Sequence, residues 1–336
     1  MNRYAPVFSL ALAAPFLAEF LFGATPITRL GGFPFLALLY GGGAILVREL
    51  ARRRGVGWWR IMVLAVAYAL IEEGLVVQSM FNPDLFQAGA VGGRGLGVNW
   101  TWTEWTVGYH VLWSMLIPIF LTETLFPRHR SEPWLNRTGV VIVGIIYALG
   151  VFIIDMAFRH TVAPNFHAPI SHLVATGTAV LVLVLIALAA PKQKVEPGTP
   201  PSKRTPPSVF VLGVVGLVVA AGWFGLLVLP ASLKIGARIL LPMALAVLVA
   251  AAAGLLVRTW STAEAWTDRH GLAFLSGALL VSMSFGFFIV TAGNRVDQTG
   301  QGVACIITLI FLGIFAHRLG QRRKIVPATS ASAARL

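Results

Sequence analysis

Long apolar runs separated by short polar joints make up almost the whole chain. A hydrocarbon core of roughly 30 Å is crossed by about 20 helical residues rising about 1.5 Å each. Ten runs meet that length, near 6–23, 33–50, 58–80, 106–126, 138–158, 170–190, 208–230, 237–257, 271–292 and 301–318. The pattern predicts an all-α fold, a polytopic transmembrane helical bundle of about ten spans. The first run follows Met1-Asn2-Arg3, but Pro15 and Glu19 break what would be the core of a cleavable signal peptide. It is expected to remain as a span.

The joint "PKQKVEPGTPPSKRTPP", 191–207, is rich in proline and lysine and has no apolar period, so an extended cytoplasmic linker is expected there. It divides the chain into a six-helix membrane domain, 1–190, and a four-helix accessory domain, 208–318, followed by a basic cytoplasmic tail, 319–336. No internal repeat is visible, so an inverted-repeat transporter architecture has no direct support.

Composition agrees with the pattern. Of the 336 residues 57% are apolar and 12% charged, against about 25% charged in a soluble domain. A net charge of +13 would suit nucleic acid, but the basic residues alternate from loop to loop. With the N-terminus inside, 20 of the 26 lie on inner segments, Arg48, Arg52, Arg53, Arg54 and Arg60 among them. That asymmetry orients a chain during insertion. Both termini are therefore expected to be cytoplasmic and the location a cell membrane, with the lipid bilayer as partner and no nucleic acid. Cys305 lies inside the tenth run, so no intrachain disulfide forms and ordinary helix packing is expected of it.

One run is broken by chemistry. "AYALIEEGLVVQSMFNP", 67–83, carries adjacent Glu72 and Glu73 with no lysine or arginine nearby. If the third helix continues to Met80, Glu72 lies about 12 Å below its outer end. Carboxylates at such depth cost on the order of 3 kcal/mol each and face a bundle interior or a wet cavity. Two adjacent ones are expected to share a proton rather than ionise together. Helical neighbours point about 100° apart, so one is expected at the site and the other against a neighbouring helix. The alternative is hydrogen-bonding glue between helices.

Other polar groups gather toward the same outer face: Glu19, His110, Asp155, His160, His167 and His172. Imidazole and carboxylate together suit zinc or iron, which makes His110, Asp155, His160 and His172 metal candidates, with solvated or hydrogen-bonded histidines as the alternative. No sequence feature names a cofactor. Gly41, Gly42 and Gly43 in "YGGGA", with Glu19 and Asp155, are candidate substrate contacts; for the glycines, close helix packing is the alternative. Glu49 and Glu123, near Arg48 and Arg128 at inner helix ends, are expected to be surface pairs of little weight. The tryptophans of "NWTWTEW" are expected at headgroup level, or in a lid over the site. Asn99-Trp100-Thr101 matches a glycosylation sequon.

A di-glutamate in a membrane helix followed by intramembrane histidine resembles the CAAX-processing and bacteriocin-immunity family of intramembrane proteases. In that family glutamate and histidine activate water to cleave a peptide bond. The resemblance implies catalytic roles for Glu72 and Glu73, with His110 as partner. The chain departs from the family pattern in having Val77 where that motif has arginine and Thr106 where a second motif has phenylalanine, and it has no His-x-x-x-Asn. The spacing "YGGGAILVREL...GWW...AYALIEEGL" is also similar to that of uncharacterised prokaryotic membrane proteins. The expected function is an intramembrane hydrolase of a peptide or lipid; a proton-coupled transporter and a non-catalytic scaffold are the alternatives.

Overall fold

The computed structural model describes residues 4–55, 57–191, 204–232 and 236–325. The linker's central stretch, 192–203, and the tail from 326 lie outside the described residues, and the expectations placed on them with it.

Among the described residues the chain forms ten long helices. They are α1 (Ala5–Phe20), α2 (Ile27–Arg52), α3 (α-helical over Trp58–Leu70, then a π-helical turn over Ile71–Val76), α4 (Trp100–Leu125), α5 (Arg137–Val162), α6 (Ile170–Ala189), α7 (Val209–Ser232), α8 (Leu240–Ser261), α9 (Asp268–Val290) and α10 (Arg295–Ile325). In lipid every backbone N–H and C=O must bond within its own segment, which is why apolar runs of this length are helical. Eight of the ten are long and apolar enough to cross a membrane. The other two are α1, built of 11 α-helical and 5 π-helical residues, and α3, which carries Arg60, Glu72 and Glu73. The outward faces of α5, α6, α8 and α10 are exposed and apolar, as at Ile145, Leu185, Leu248 and Ile310.

Two hydrophobic cores meet at α4. One gathers α1 to α6 around Leu10, Leu39, Ile61, Leu64, Met115 and Ile119. The other sets Tyr109, Trp113, Ile117 and Leu121 of the same helix against Trp223, Phe224, Leu279 and Phe315. Helices α7 to α10 thus share a core with α4. Helices α7 and α9 approach at Gly216 and Gly277, where a Cβ would strike the facing backbone.

At one end of the bundle the structure corrects the expectation for Glu49 and Glu123. Both are buried, in a network with Arg48 and Arg52. Glu123 accepts from Arg48 Nε at 3.1 Å and from Arg52 Nε and Nη2 at 2.7 and 2.6 Å. Glu49 pairs with Arg48 at 2.8 Å and accepts the backbone N–H groups of Trp134 and Leu135. Arg48 Nη2 donates to the carbonyls of His129 and Arg130, and its guanidinium stacks on Trp134 at 3.7 Å. The segment after α4 folds back over these charges and excludes water. Its backbone satisfies groups that a simple helix end leaves to solvent.

At the opposite end α3 stops earlier than its apolar run suggests. Gln78 adopts a left-handed backbone, φ +57°, and its side chain accepts the N–H of Ala168 at 2.8 Å. Residues 77–99 then close over the helix end. They include the short helix Leu85–Ala90 and an antiparallel hairpin, Arg94–Gly95 with Val98–Asn99, turned by Leu96 and Gly97 at positive φ. Asn99 is fully buried, caps α4 by accepting from Trp102 N at 3.0 Å, and donates to the carbonyls of Ala88 and Val91. Its amide is therefore committed to the fold rather than presented as a glycosylation acceptor.

Candidate functional site

The bundle's polar centre is built on π-helical turns. Glu19 lies in Phe16–Phe20, Tyr40 in Ala37–Gly41, Glu72 and Glu73 in Ile71–Val76, and His110 opens His110–Leu116. A π-turn inserts one extra residue into the i→i+4 ladder and re-aims the side chains around it, and such turns concentrate at functional sites. Here four helices each carry one at the same point.

The result departs from the expectation that the two glutamates diverge. Both carboxylates reach one imidazole: Glu73 Oε1 lies 2.9 Å from His110 Nε2, and Glu72 Oε2 lies 3.3 Å from His110 Nδ1. All three residues are buried. Ser114, one turn after His110, places its Oγ 3.0 Å from Nδ1. The Ser79 hydroxyl bonds Glu73 Oε2, and Trp102 Nε1 donates to Ser79 Oγ at 2.9 Å. Glu72 Oε2 is buried without a hydrogen-bond partner. Helix α3 ends sooner than expected, so the pair lies within about one turn of its end, where Ser79 of the following segment bonds Glu73 and His110 of α4 meets both carboxylates.

Tyrosines line the rest of the site. The rings of Tyr40, Tyr68 and Tyr109 stand 5.9, 6.2 and 5.8 Å from that of His110. Tyr40 donates to Glu19 Oε1 at 2.5 Å, and Thr25 donates to Glu19 Oε2 at 2.6 Å. The Tyr68 hydroxyl lies beside Glu72, and Tyr147 packs on Tyr68 with ring centroids 6.1 Å apart. Both the Tyr68 and Tyr147 hydroxyls are buried without a hydrogen-bond partner. Burial of unmatched donors and an acceptor together is costly, on the order of 1–3 kcal/mol each, and marks a place prepared for a further polar group.

The other candidates fall elsewhere. Gly41 packs on the backbone of Ala11, Gly42 on Tyr147, and a Cβ at Gly43 would strike the Tyr68 ring. These glycines thus shape the wall that Tyr68 presents, and their own faces are covered. Glu19 stands one tyrosine away from the glutamate pair. Asp155 binds Arg159 at 2.7 and 2.8 Å, His160 and His167 are exposed, and His172 packs on Phe81 and bonds the Leu96 carbonyl at 2.9 Å. Among the described residues, Glu72, Glu73 and His110 alone bring three such ligand atoms together, all within 4.8 Å of one another. Of the three tryptophans in "NWTWTEW" Trp100 is exposed, whereas Trp102 donates to Ser79 and Trp105 stacks on Trp223 at 5.2 Å. Sequence reasoning passed over Ser79, Ser114, Tyr40 and Tyr68. The last stands four residues before Glu72 and Ser114 four after His110, the spacing that puts side chains on one helical face.

Comparison with known proteins adds the family. The description "Uncharacterized membrane protein family" matches over residues 8–334. The chain belongs to that family. No curated protein and no solved structure matches it. The family is one of membrane proteins, which agrees with the multi-pass helical bundle, and the match lends no support to the resemblance to CAAX-processing and bacteriocin-immunity proteases.

Proposed function

We propose that Glu72, Glu73 and His110 are the reactive centre of a hydrolase acting on a peptide or lipid substrate within the membrane. One observation carries the reading: Glu72 Oε2 is buried, makes no hydrogen bond and lies 3.3 Å from an imidazole whose other nitrogen is held by Glu73. A carboxylate oxygen of that kind takes a proton from an attacking water. The imidazole fixed beside it stabilises the developing charge or returns the proton to the leaving group. Ser79 and Trp102 hold Glu73 in place, and the 77–105 segment is the element that would move to admit substrate. The test is turnover of internally quenched transmembrane peptides and long-chain nitrophenyl esters by protein purified in detergent. Loss of turnover in both Glu72→Gln and Glu73→Gln is expected, because an amide accepts no proton.

A second reading, a proton-coupled transporter, is favoured by the polar groups beyond the triad. Tyr40 stands between His110 and Glu19, and Glu19 leads to Thr25, so exchangeable protons continue from the glutamate pair toward the turn after α1. Acids in such chains carry protons in pumps and transporters. Sealed vesicles separate the two: gradient-driven uptake uncoupled by Glu→Gln belongs to the transporter, and cleavage without a gradient to the hydrolase.

The same reading places all ten helices across a cell membrane, both termini in the cytoplasm, the Arg48–Glu123 end inside and the glutamate site toward the outside. The alternation of basic loops supports it. Reporter fusions within 191–207 should read cytoplasmic and fusions within 81–105 external. In this reading α1 to α6 carry the chemistry, and α7 to α10 brace α4 through Trp223 and Phe224.

A further inference from the structure

We infer that Glu72, Glu73 and one nitrogen of His110 bind a divalent transition-metal ion. The inference concerns the same site as the hydrolase reading, but it stands on donor geometry and charge and has its own readout.

The donors are gathered close to ligand spacing. Metal–nitrogen and metal–oxygen bonds of about 2.0–2.2 Å place neighbouring ligand atoms about 3 Å apart. Glu73 Oε1 lies 2.9 Å from His110 Nε2, and one ligand atom from each of Glu72, Glu73 and His110 lies within 4.8 Å of the others, so that a small inward shift of the side chains closes the set on one ion. The outer partners are those that orient ligands. Ser114 Oγ, 3.0 Å from Nδ1, orients the ring with Nε2 toward Glu73 Oε1, and Ser79 holds Glu73 from behind.

Charge argues the same way. Two carboxylates are buried in an apolar bundle, and among the described residues the ion pairs they make are with His110 alone. A dication neutralises both at once, where protons would have to do so singly. A further sign of a missing group is the Tyr147 hydroxyl, buried without a hydrogen-bond partner near Glu72, whose Oε2 makes no hydrogen bond either. An imidazole with two carboxylates suits zinc, iron(II) or manganese(II) rather than calcium, which takes six or more oxygen ligands. Three protein ligands leave an open position, the arrangement of catalytic rather than structural sites. Each carboxylate contributes one oxygen; the second oxygen of Glu73 is held by Ser79, and that of Glu72 remains for proton transfer.

The experiment uses full-length protein without a histidine tag, purified in detergent, loaded separately with zinc, iron(II) or manganese(II), desalted and analysed by plasma mass spectrometry. Cobalt(II) titration followed in the visible range reports ligand geometry. About one equivalent of metal per chain is expected. It should be lost in His110→Ala and Glu72→Gln and kept in His172→Ala. Ser114→Ala, which removes no ligand, should weaken binding about 10- to 100-fold. Wild-type protein that holds no more than trace metal after each loading, or His110→Ala that still holds an equivalent, overturns the inference. Metal-free protein that turns over substrate overturns the metal and leaves the hydrolase reading standing. One bound equivalent in protein without turnover supports the metal while the hydrolase reading fails.

Discussion

Glu123→Ala tests how the bundle's charged end is held together. The carboxylate accepts three bonds, from Arg48 Nε at 3.1 Å and from Arg52 Nε and Nη2 at 2.7 and 2.6 Å, and the side chains of all three residues are at most 3% exposed. Its removal leaves two guanidinium charges in a site from which the 127–135 segment excludes water. Arg48 keeps Glu49 and two carbonyls, while Arg52 loses its bidentate pair. Breaking a buried pair from one side costs about 3–5 kcal/mol. Unfolding in mixed detergent and dodecyl sulfate micelles, followed by tryptophan fluorescence, should show a loss of that size. Glu132→Ala, at an exposed pair with His129, should cost less than about 1 kcal/mol. A Glu123→Ala protein within about 1 kcal/mol of wild type would refute the buried network.

Two further outcomes follow from packing and hydrogen bonding. Ser79→Ala and Trp102→Phe each remove one link of the chain that holds Glu73; each should lower site function by about tenfold, measured as turnover or uptake, with helicity by circular dichroism unchanged. Gly277→Leu should lower the thermal midpoint and loosen α7 from α9, because any Cβ there meets the carbonyl of Gly213, whereas Gly254→Ala, which faces open space, should be neutral.

How much of this was legible beforehand differs by element. The apolar runs locate all ten helices, because lipid demands a helix wherever such a run occurs. The interruption at Glu72 and Glu73 and the lone His110 in α4 stand out because charged groups in apolar runs are expensive, and the structure brings these three side chains together. What escaped depends on non-local structure. The burial of Glu49 and Glu123 requires residues 127–135 to fold back, and nothing in their own helices signals that. The end of α3 is set by Gln78 in a left-handed conformation and by its bond to Ala168, ninety positions later. The π-turns have no sequence signature here, so convergence of both glutamates on one imidazole was not foreseeable from helical spacing.

The most direct measurement is turnover by the purified chain in detergent, where no gradient exists, using quenched transmembrane peptides and long-chain esters on wild type, Glu72→Gln, Glu73→Gln and His110→Ala. The account predicts cleavage by wild type and its loss in the two glutamine variants and in His110→Ala, with all four proteins unfolding at similar detergent concentrations. Undiminished cleavage in the Glu72→Gln, Glu73→Gln double variant, or gradient-driven uptake in vesicles with no cleavage by any of the proteins, would contradict it.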